Sequence, residues 1–469
     1  MISIYYDTKD PYRNYGISHF MQKYGLLSAD NESEINMIYG DYDDLKDRSR
    51  FNIQIVENDM QNYAYGYLKD GRKKGEKAPL FEKPVRCEGG KVLAVFVDKS
   101  EEYPCIILKE KTIVFGFDIF NEIGYMLSGY LERFWEEDDK HKQLARIPIV
   151  DYYEKMLFEC LLIASHKLKI PLKCKPFWPN GKKFAVCLTH DVDRVHKSYQ
   201  YFTHFLKSLK KGDFHAAFYQ ITSIAKKLSG DNPYWNFDRI MEIEKELGVK
   251  STFFFLNEQK KACIFSPKEW KLYLGRYDIK DAKIVNIIKR LDAEGWEIGV
   301  HGSYNSYRNL EMLREEKETL EEILGKRVHG ISQHYCNLEI PSTWEYHEKL
   351  GFSYDASLGF VTDIGFRWGT CHPFHPFNPE NGRISSLWEL PIIIMDNACA
   401  YKSWQDMMEI IKTVERYNGL LLLRWHQSTF NECEFPELSK VYERIIKLCK
   451  GKNAWITNAY DIVGWLNAR

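Results

Sequence analysis

Two carboxylates stand two residues apart at the end of an apolar run, F-A-V-C-L-T-H-D-V-D, residues 184–193. Phe184 to Leu188 shows no solvated face and reads as a strand covered on both sides. In an extended chain Asp191 and Asp193 then point the same way. Like charges so placed repel unless a cation or a shared proton offsets the repulsion. A helix N-cap with an acidic first turn is the plainer account of the pair. Histidines at matching places weigh against it. The apolar run Trp296–Val300 ends at His301, Val328–Ile331 runs into Ser332, Gln333, His334 and Tyr335, and Leu420–Trp425 ends at His426. Any one of these histidines alone is most simply a structural one. Four strand ends carrying Asp or His are harder to explain as packing.

These residues need a scaffold that brings strand ends together. From Phe184 onward short apolar strands alternate with longer helical patterns. Ser251–Leu256 is a strand, Ala282–Leu291 a helix, and Leu310, Leu313, Leu320 and Leu324 keep helical spacing beneath a solvated glutamate face. Trp344–Leu350 is helical and stopped by Gly351. Leu387–Met395 is a strand that Pro391 demotes to an edge or bulge, and Ala454–Thr457 is the last strand. Such alternation predicts an α/β fold, a parallel sheet with helices outside. In barrels of that kind the working residues lie past the C-terminal ends of the strands, where Asp191, Asp193, His301, His334 and His426 all fall.

The chain has 469 residues, enough for two or three domains. Lys+Arg 65 against Asp+Glu 66 leaves a formal charge of -1, so no global electrostatic pull toward nucleic acid or anionic membrane follows. No run of about eighteen apolar residues occurs, so no membrane span is expected. The start, M-I-S-I-Y-Y-D-T-K-D, has no basic-then-apolar leader. The 11 cysteines are dispersed without a C-x-x-C pair, as in a reduced, cytoplasmic protein. Residues 1–145 read as a smaller α/β domain of unassigned role. Its strands are Ile2–Tyr6, Ile35–Tyr39, Phe51–Val56, Val92–Val97 and Thr112–Phe117, with a helix from Phe117 to Trp135. Lys69–Lys83 reads as an exposed loop, as do Asp7, Tyr12 and Arg13. Residues 146–181 form a helical linker, Asp151–Lys167 being its helix, and 182–469 the second domain.

The second domain resembles the polysaccharide deacetylase family, carbohydrate esterase family four. The motifs are T-H-D-V-D at 189–193, H-G-S-Y-N at 301–305, S-Q-H-Y at 332–335 and L-R-W-H at 423–426. The resemblance implies a distorted (β/α) barrel that removes N- or O-acetyl groups from sugars with a divalent metal. Zinc is the leading metal, with manganese, cobalt or nickel as alternatives. It implies Asp191 as general base, Asp193 and His301 as metal ligands, and His426 as the acid that protonates the leaving group.

Two positions depart from the family pattern. Asn305 stands where a second histidine ligand belongs, and Ser332 where an arginine orients the base. Asn305 is the first choice of third ligand, with His334 or His190 as substitutes. Arg367, in G-F-R-W-G, is a candidate for the missing arginine, or else a surface arginine on a turn. Ser332, His334, Tyr335, Arg367 and Trp368 complete the expected substrate site. Trp368, Phe374 and Phe377 lie in an aromatic, proline-rich loop that either stacks on a sugar face or buries its own rings. His372 and His375 belong to a turn in that loop. The reading is a cytoplasmic hydrolase acting on carbon–nitrogen bonds of an acetylated amino sugar or polysaccharide precursor. The alternatives are a glycan-binding member that has lost turnover, and another metal-assisted amide hydrolase.

Overall fold

A computed structural model describes residues 2–5, 10–26, 34–39, 50–56, 66–72, 77–129, 132, 144–210, 212–228, 232–260, 267–399 and 401–469. The chain forms two compact units. One comprises Met1–Phe177 with Phe366–Ile384 and Arg469, the other Trp178–Gly365 with Ser385–Ala468.

The first unit is built on eight strands: β1 (Ile2–Tyr5), β2 (Ile35–Tyr39), β3 (Phe51–Ile55), β4 (Gly66–Asp70), β5 (Lys77–Leu80), β6 (Lys91–Val97), β7 (Glu102–Lys109) and β8 (Thr112–Phe115). They lie in the order β1-β2-β3-β8-β7-β6-β4-β5. The pairs from β1 through β8 are parallel, and those from β8 to β5 antiparallel. Three helices, Pro11–Tyr24, Ile119–Met126 and Ile149–Leu168, pack with it.

Several expectations are corrected here. Lys69–Lys83 is not an exposed loop throughout, for its residues Lys69 and Asp70 close β4, Lys77–Leu80 form β5 paired to it, and Ala78 and Leu80 are fully buried; residues 73–76 lie outside the described residues. The helix expected over 117–135 starts after its N-cap Asp118 and ends at Met126; Leu131 and Trp135 lie outside the described residues. So does Asp7, while Tyr12 and Arg13 sit on a helix capped by Asp10 rather than in a loop. The helix Ile149–Leu168 is part of the first unit, not a linker. Its Asp151 and Glu154 are fully buried against Lys23.

The second unit is a parallel sheet: β9 (Ala185–Val192), β10 (Thr252–Leu256), β11 (Glu297–Gly302), β12 (Gly330–Gln333), β13 (Tyr354–Asp355), then, past a small hairpin β14 (Phe377–Asn378) and β15 (Arg383–Ile384) that belongs to the first unit, β16 (Trp388–Glu389), β17 (Ile392–Met395), β18 (Leu420–His426) and β19 (Trp455–Thr457). The order is β16-β13-β12-β11-β10-β9-β18-β17, with β19 also pairing to β9. The single strand expected over Leu387–Met395 is therefore two, and they occupy opposite edges. Only Leu390 and Pro391 separate them in the chain, so the sheet curls until its edges approach each other, a half-barrel with its seam at Pro391. Proline lacks the N–H a ladder needs, which suits it to a seam. Alternation along β9 and β18 turns Asp191 and Arg424 to one face and His190 and Trp425 to the other.

Candidate active site

The site lies at the C-terminal ends of β9, β11, β12, β17 and β18. Asp193 follows β9, and His301 is the fifth residue of β11, in register with Ser332 of β12. The next residue, Gly302, has no room for a side chain; a Cβ there would come within 2.2 Å of the Gln333 amide. His334 enters a tight turn in which Tyr335 and Cys336 take φ of 60° and 56°. Left-handed backbone at two consecutive non-glycine residues costs free energy that surrounding contacts must offset, and it clusters at functional sites.

Asp193, His301 and His334 converge. His301 Nε2 and His334 Nδ1 are 3.1 Å apart, and Asp193 Oδ1 lies 3.2 Å from the first and 3.4 Å from the second. The carboxylate oxygen is buried yet has no hydrogen-bond partner. Ligand atoms at about 2.0–2.1 Å from a tetrahedral zinc stand about 3.4 Å apart, so the donor set and its spacing fit a divalent metal. The Nδ1 of His301 faces the Ser332 carbonyl at 2.7 Å, which fixes its tautomer and leaves Nε2 free to ligate. Burial raises the Asp193 pKa, but the imidazoles of His334 and His301 outweigh it and hold the carboxyl well below its usual range. Burial lowers His334 to about 4 despite Asp193. A neutral imidazole beside an ionised carboxylate is the protonation state a metal requires.

Asp191 stands beside this triangle. Its Oδ2 is 3.7 Å from His301 Nε2 and 3.3 Å from Arg424 Nε, while Oδ1 is buried without a hydrogen-bond partner. Arg424 is fully buried. It donates to Ser332 Oγ at 2.5 Å and to the Ala356 carbonyl, and one of its nitrogens is 3.4 Å from Cys336 Sγ. The serine that replaces the expected arginine is thus the seat of an arginine from another strand.

His426 closes the site from β18. Its Nδ1 donates to Asp396 Oδ1 at 2.8 Å, and its backbone N–H donates to Asp396 Oδ2 at 2.7 Å. Asp396 also accepts from Thr429 Oγ1. Burial disfavours the imidazolium, but Asp396 outweighs it, with Asp193 and Asp191 adding to the effect, and the pKa is pushed up to about 10. His426 is therefore a proton donor at neutral pH.

The other expected site residues have partners of their own. Asn305 donates to Tyr273 Oη at 3.2 Å and accepts from Arg308 at 3.3 Å, which engages both ends of its amide. His190 faces away, with Nε2 2.9 Å from Glu244 and Nδ1 3.2 Å from the Trp425 carbonyl. Arg367 and Trp368 belong to the first unit, where both donate to Glu132 Oε1, and Trp368 is 1% exposed. Phe374 and Phe377 are buried there too. The aromatic loop buries its own rings. His372 lies with Asp151 and Cys371 in that unit, in a second set of close donor atoms, but Asp151 is already neutralised by Lys23 at 2.7 Å. Tyr335 flanks the site, its ring edge-on to His334 at 4.4 Å.

Three residues escaped the sequence reading. Asp396 has the same signature as Asp191, an acid directly after an apolar strand, I-I-I-M-D. Arg424 sits inside an otherwise apolar strand. Arg276 follows the helix Pro267–Tyr273 and donates to His334 Nε2 at 2.7 Å and to the Asp193 carbonyl at 2.9 Å.

No protein-family model matches the chain, and no curated protein sequence matches it. Solved structures similar to it include a putative polysaccharide deacetylase from Mycobacterium smegmatis, at 17% identity and TM-score 0.40 over 62% of this chain and 92% of that one. A CE4 family pseudoenzyme from Bacillus anthracis is similar at 12% identity and TM-score 0.31, over 61% of this chain and 66% of that one. A peptidoglycan deacetylase from Bacillus subtilis is similar at 12% identity and TM-score 0.30, over 62% of this chain and 94% of that one.

Proposed function

We propose that the second unit is a metal-dependent hydrolase that removes an acetyl group from an amino sugar or a related polysaccharide precursor. The observation that supports this best is the Asp193, His301 and His334 triangle, flanked by a carboxylate braced by arginine and an imidazolium braced by carboxylate. Asp193 through Oδ1, His301 through Nε2 and His334 through Nδ1 would hold the metal; two nitrogens and one oxygen suit zinc. A divalent cation held there supplies a Lewis acid for the acyl oxygen and acidifies a water.

The protein's own groups do the rest. Asp191, with a lone pair on Oδ1 uncommitted, takes the proton from the attacking water. Arg424, seated on Ser332 and the Ala356 carbonyl, fixes the orientation of the Asp191 carboxylate. His426 gives a proton to the departing nitrogen, without which an amine is a poor leaving group. Asp396 keeps that imidazole charged. Tyr335, at the rim, offers a ring face to a sugar.

A second reading is favoured by Arg276. Arginine can only donate, so the 2.7 Å contact makes His334 Nε2 an acceptor and puts that ring's proton on Nδ1. In that state the triangle is a hydrogen-bonded network braced by a cation, as in a binding protein without turnover. The experiment that decides is metal analysis of purified protein, together with acetate release from a panel of N- and O-acetylated sugars. One equivalent of metal lost in Asp193→Asn, with acetate released only by wild type, is the expected result. A protein that binds no added zinc, manganese, cobalt or nickel and releases no acetate is the non-catalytic one.

A further inference from the structure

The segment directly after the acidic tip of β9 builds two helices, Gln200–Lys210 and Phe214–Leu228, packed against each other as a hairpin. Their polarity is inverted. Among the described residues the buried side chains are Gln200, Tyr201, Ala217, Gln220 and Ser223. The exposed ones include Phe202 at 65%, Phe214 at 74% and Phe218 at 65%, together with Leu206, Leu209, Ile221 and Ile224. Positions 202, 206 and 209, and then 214, 218, 221 and 224, advance by four and three, so each helix carries one apolar stripe. Both stripes face solvent. A surface helix of a water-soluble protein turns such a stripe inward, and a contiguous exposed apolar patch marks an interaction site.

The inversion is held in place from beneath. Lys197, buried just before the hairpin, pairs with Glu434 and donates to Gln220 of the second helix. The polar face is thus the one tied to the rest of the unit.

Charge says what the outer face meets. Residues 200–228 contain Lys207, Lys210, Lys211, Lys226 and Lys227 against a single acid, Asp213, in a chain whose total is -1. Lys207 and Lys210 are exposed beside the first stripe. We propose that this hairpin docks on the surface of an anionic lipid bilayer, its Phe, Leu and Ile stripe in the headgroup boundary and its lysines on lipid phosphates. A second copy of the chain is the poorer occupant, because a two-fold contact would set the same lysines against each other. The proposal does not rest on catalysis.

Flotation with vesicles of equimolar phosphatidylglycerol and phosphatidylcholine tests it, against vesicles of phosphatidylcholine alone. Wild type should float with the anionic vesicles and be released as salt rises. Binding should weaken on the order of tenfold or more in the triple variant Phe202→Asn, Phe214→Asn, Phe218→Asn, and again in Lys207→Glu, Lys210→Glu. Circular dichroism shows whether each variant keeps its helices; should one lose them, the other and the salt titration of wild type decide. Failure of wild type to float, or equal flotation of both folded variants, overturns the proposal. A dimer in light scattering that the phenylalanine variant dissolves, with no flotation, assigns the stripe to a second copy instead.

Discussion

At the scale of single residues, position and partner separate the two acids of the D-V-D tip. Asp191→Asn should cut turnover by about a hundredfold to ten-thousandfold and leave metal content unchanged, whereas Asp193→Asn should empty the site; metal analysis of both variants distinguishes them. Arg424→Gln removes the cation beside Asp191 and should cost about 10–100-fold in kcat with metal retained. Because Ser332 Oγ is 2.5 Å from that guanidinium, adding Ser332→Arg should recover part of the loss. No recovery would mean that Arg424 acts through stability alone. Asp396→Asn withdraws the main support of the His426 imidazolium. The alkaline limb of the pH–rate profile should then move down from about 10 toward 6.5, and an unshifted limb would take the acid role from His426. The pair Asp191 and Asp193, His301 and His426 were legible because residue type and strand end coincide at each. Arg424 was not. It lies within an apolar run, and only the register that sets it opposite Thr189 brings it beside Asp191.

At the scale of elements, the proposed ligand set turns on two short turns. A 3-10 turn at Ser306–Arg308 follows Asn305, and the asparagine is used up by Tyr273 and Arg308. The left-handed step at Tyr335 and Cys336 leaves His334 beside His301 instead. Spacing along the chain suggested Asn305; backbone handedness, which no motif letter records, favours His334. Isothermal titration of metal-stripped protein should show zinc affinity unchanged in Asn305→His and abolished in His334→Ala. The helix Leu310–Leu324 carries a second consequence. The sequence puts Glu315, Glu318, Glu321 and Glu322 on a solvated face and leaves Glu316 unassigned; Glu316 is 2% exposed, its Oε2 accepting from the Ser303 N–H while Oε1 has no hydrogen-bond partner. Burial lifts its pKa from 4.5 to about 8. An acid whose folded pKa is raised costs nothing below its unfolded pKa, and its ionisation increasingly opposes folding as pH rises between the two values. Glu316→Gln should therefore leave the melting temperature alone near pH 4 and raise it at pH 8, by on the order of 1–3 kcal/mol of stability. Equal effects at both pH values would mean that the carboxyl is hydrated.

At the scale of the whole molecule, composition set the class and the alternation of elements set the curled sheet, but the division of the chain was hidden. Phe366–Ile384 belongs to the first unit although it falls inside the second in sequence. Its ties are local and chemical. Asp151 accepts from Thr370 Oγ1 at 3.0 Å and from the Cys371 N–H at 2.8 Å, and Phe377 stacks on Tyr15 with centroids 4.6 Å apart. Neither unit is therefore a contiguous fragment. Residues 178–469 expressed alone should be poorly soluble, with Trp368, Phe374 and Phe377 stripped of cover. Replacing 366–384 by a short glycine–serine link should restore a monomer by size-exclusion chromatography; a soluble, monomeric 178–469 would show that the strap is dispensable. The same threading imposes an order of events on synthesis. At about 5–20 residues per second, the strap emerges from the ribosome roughly 10–40 s after Phe177. Through that interval Asp151 has Lys23 but neither Thr370 nor Cys371, and the Tyr15 ring lacks Phe377.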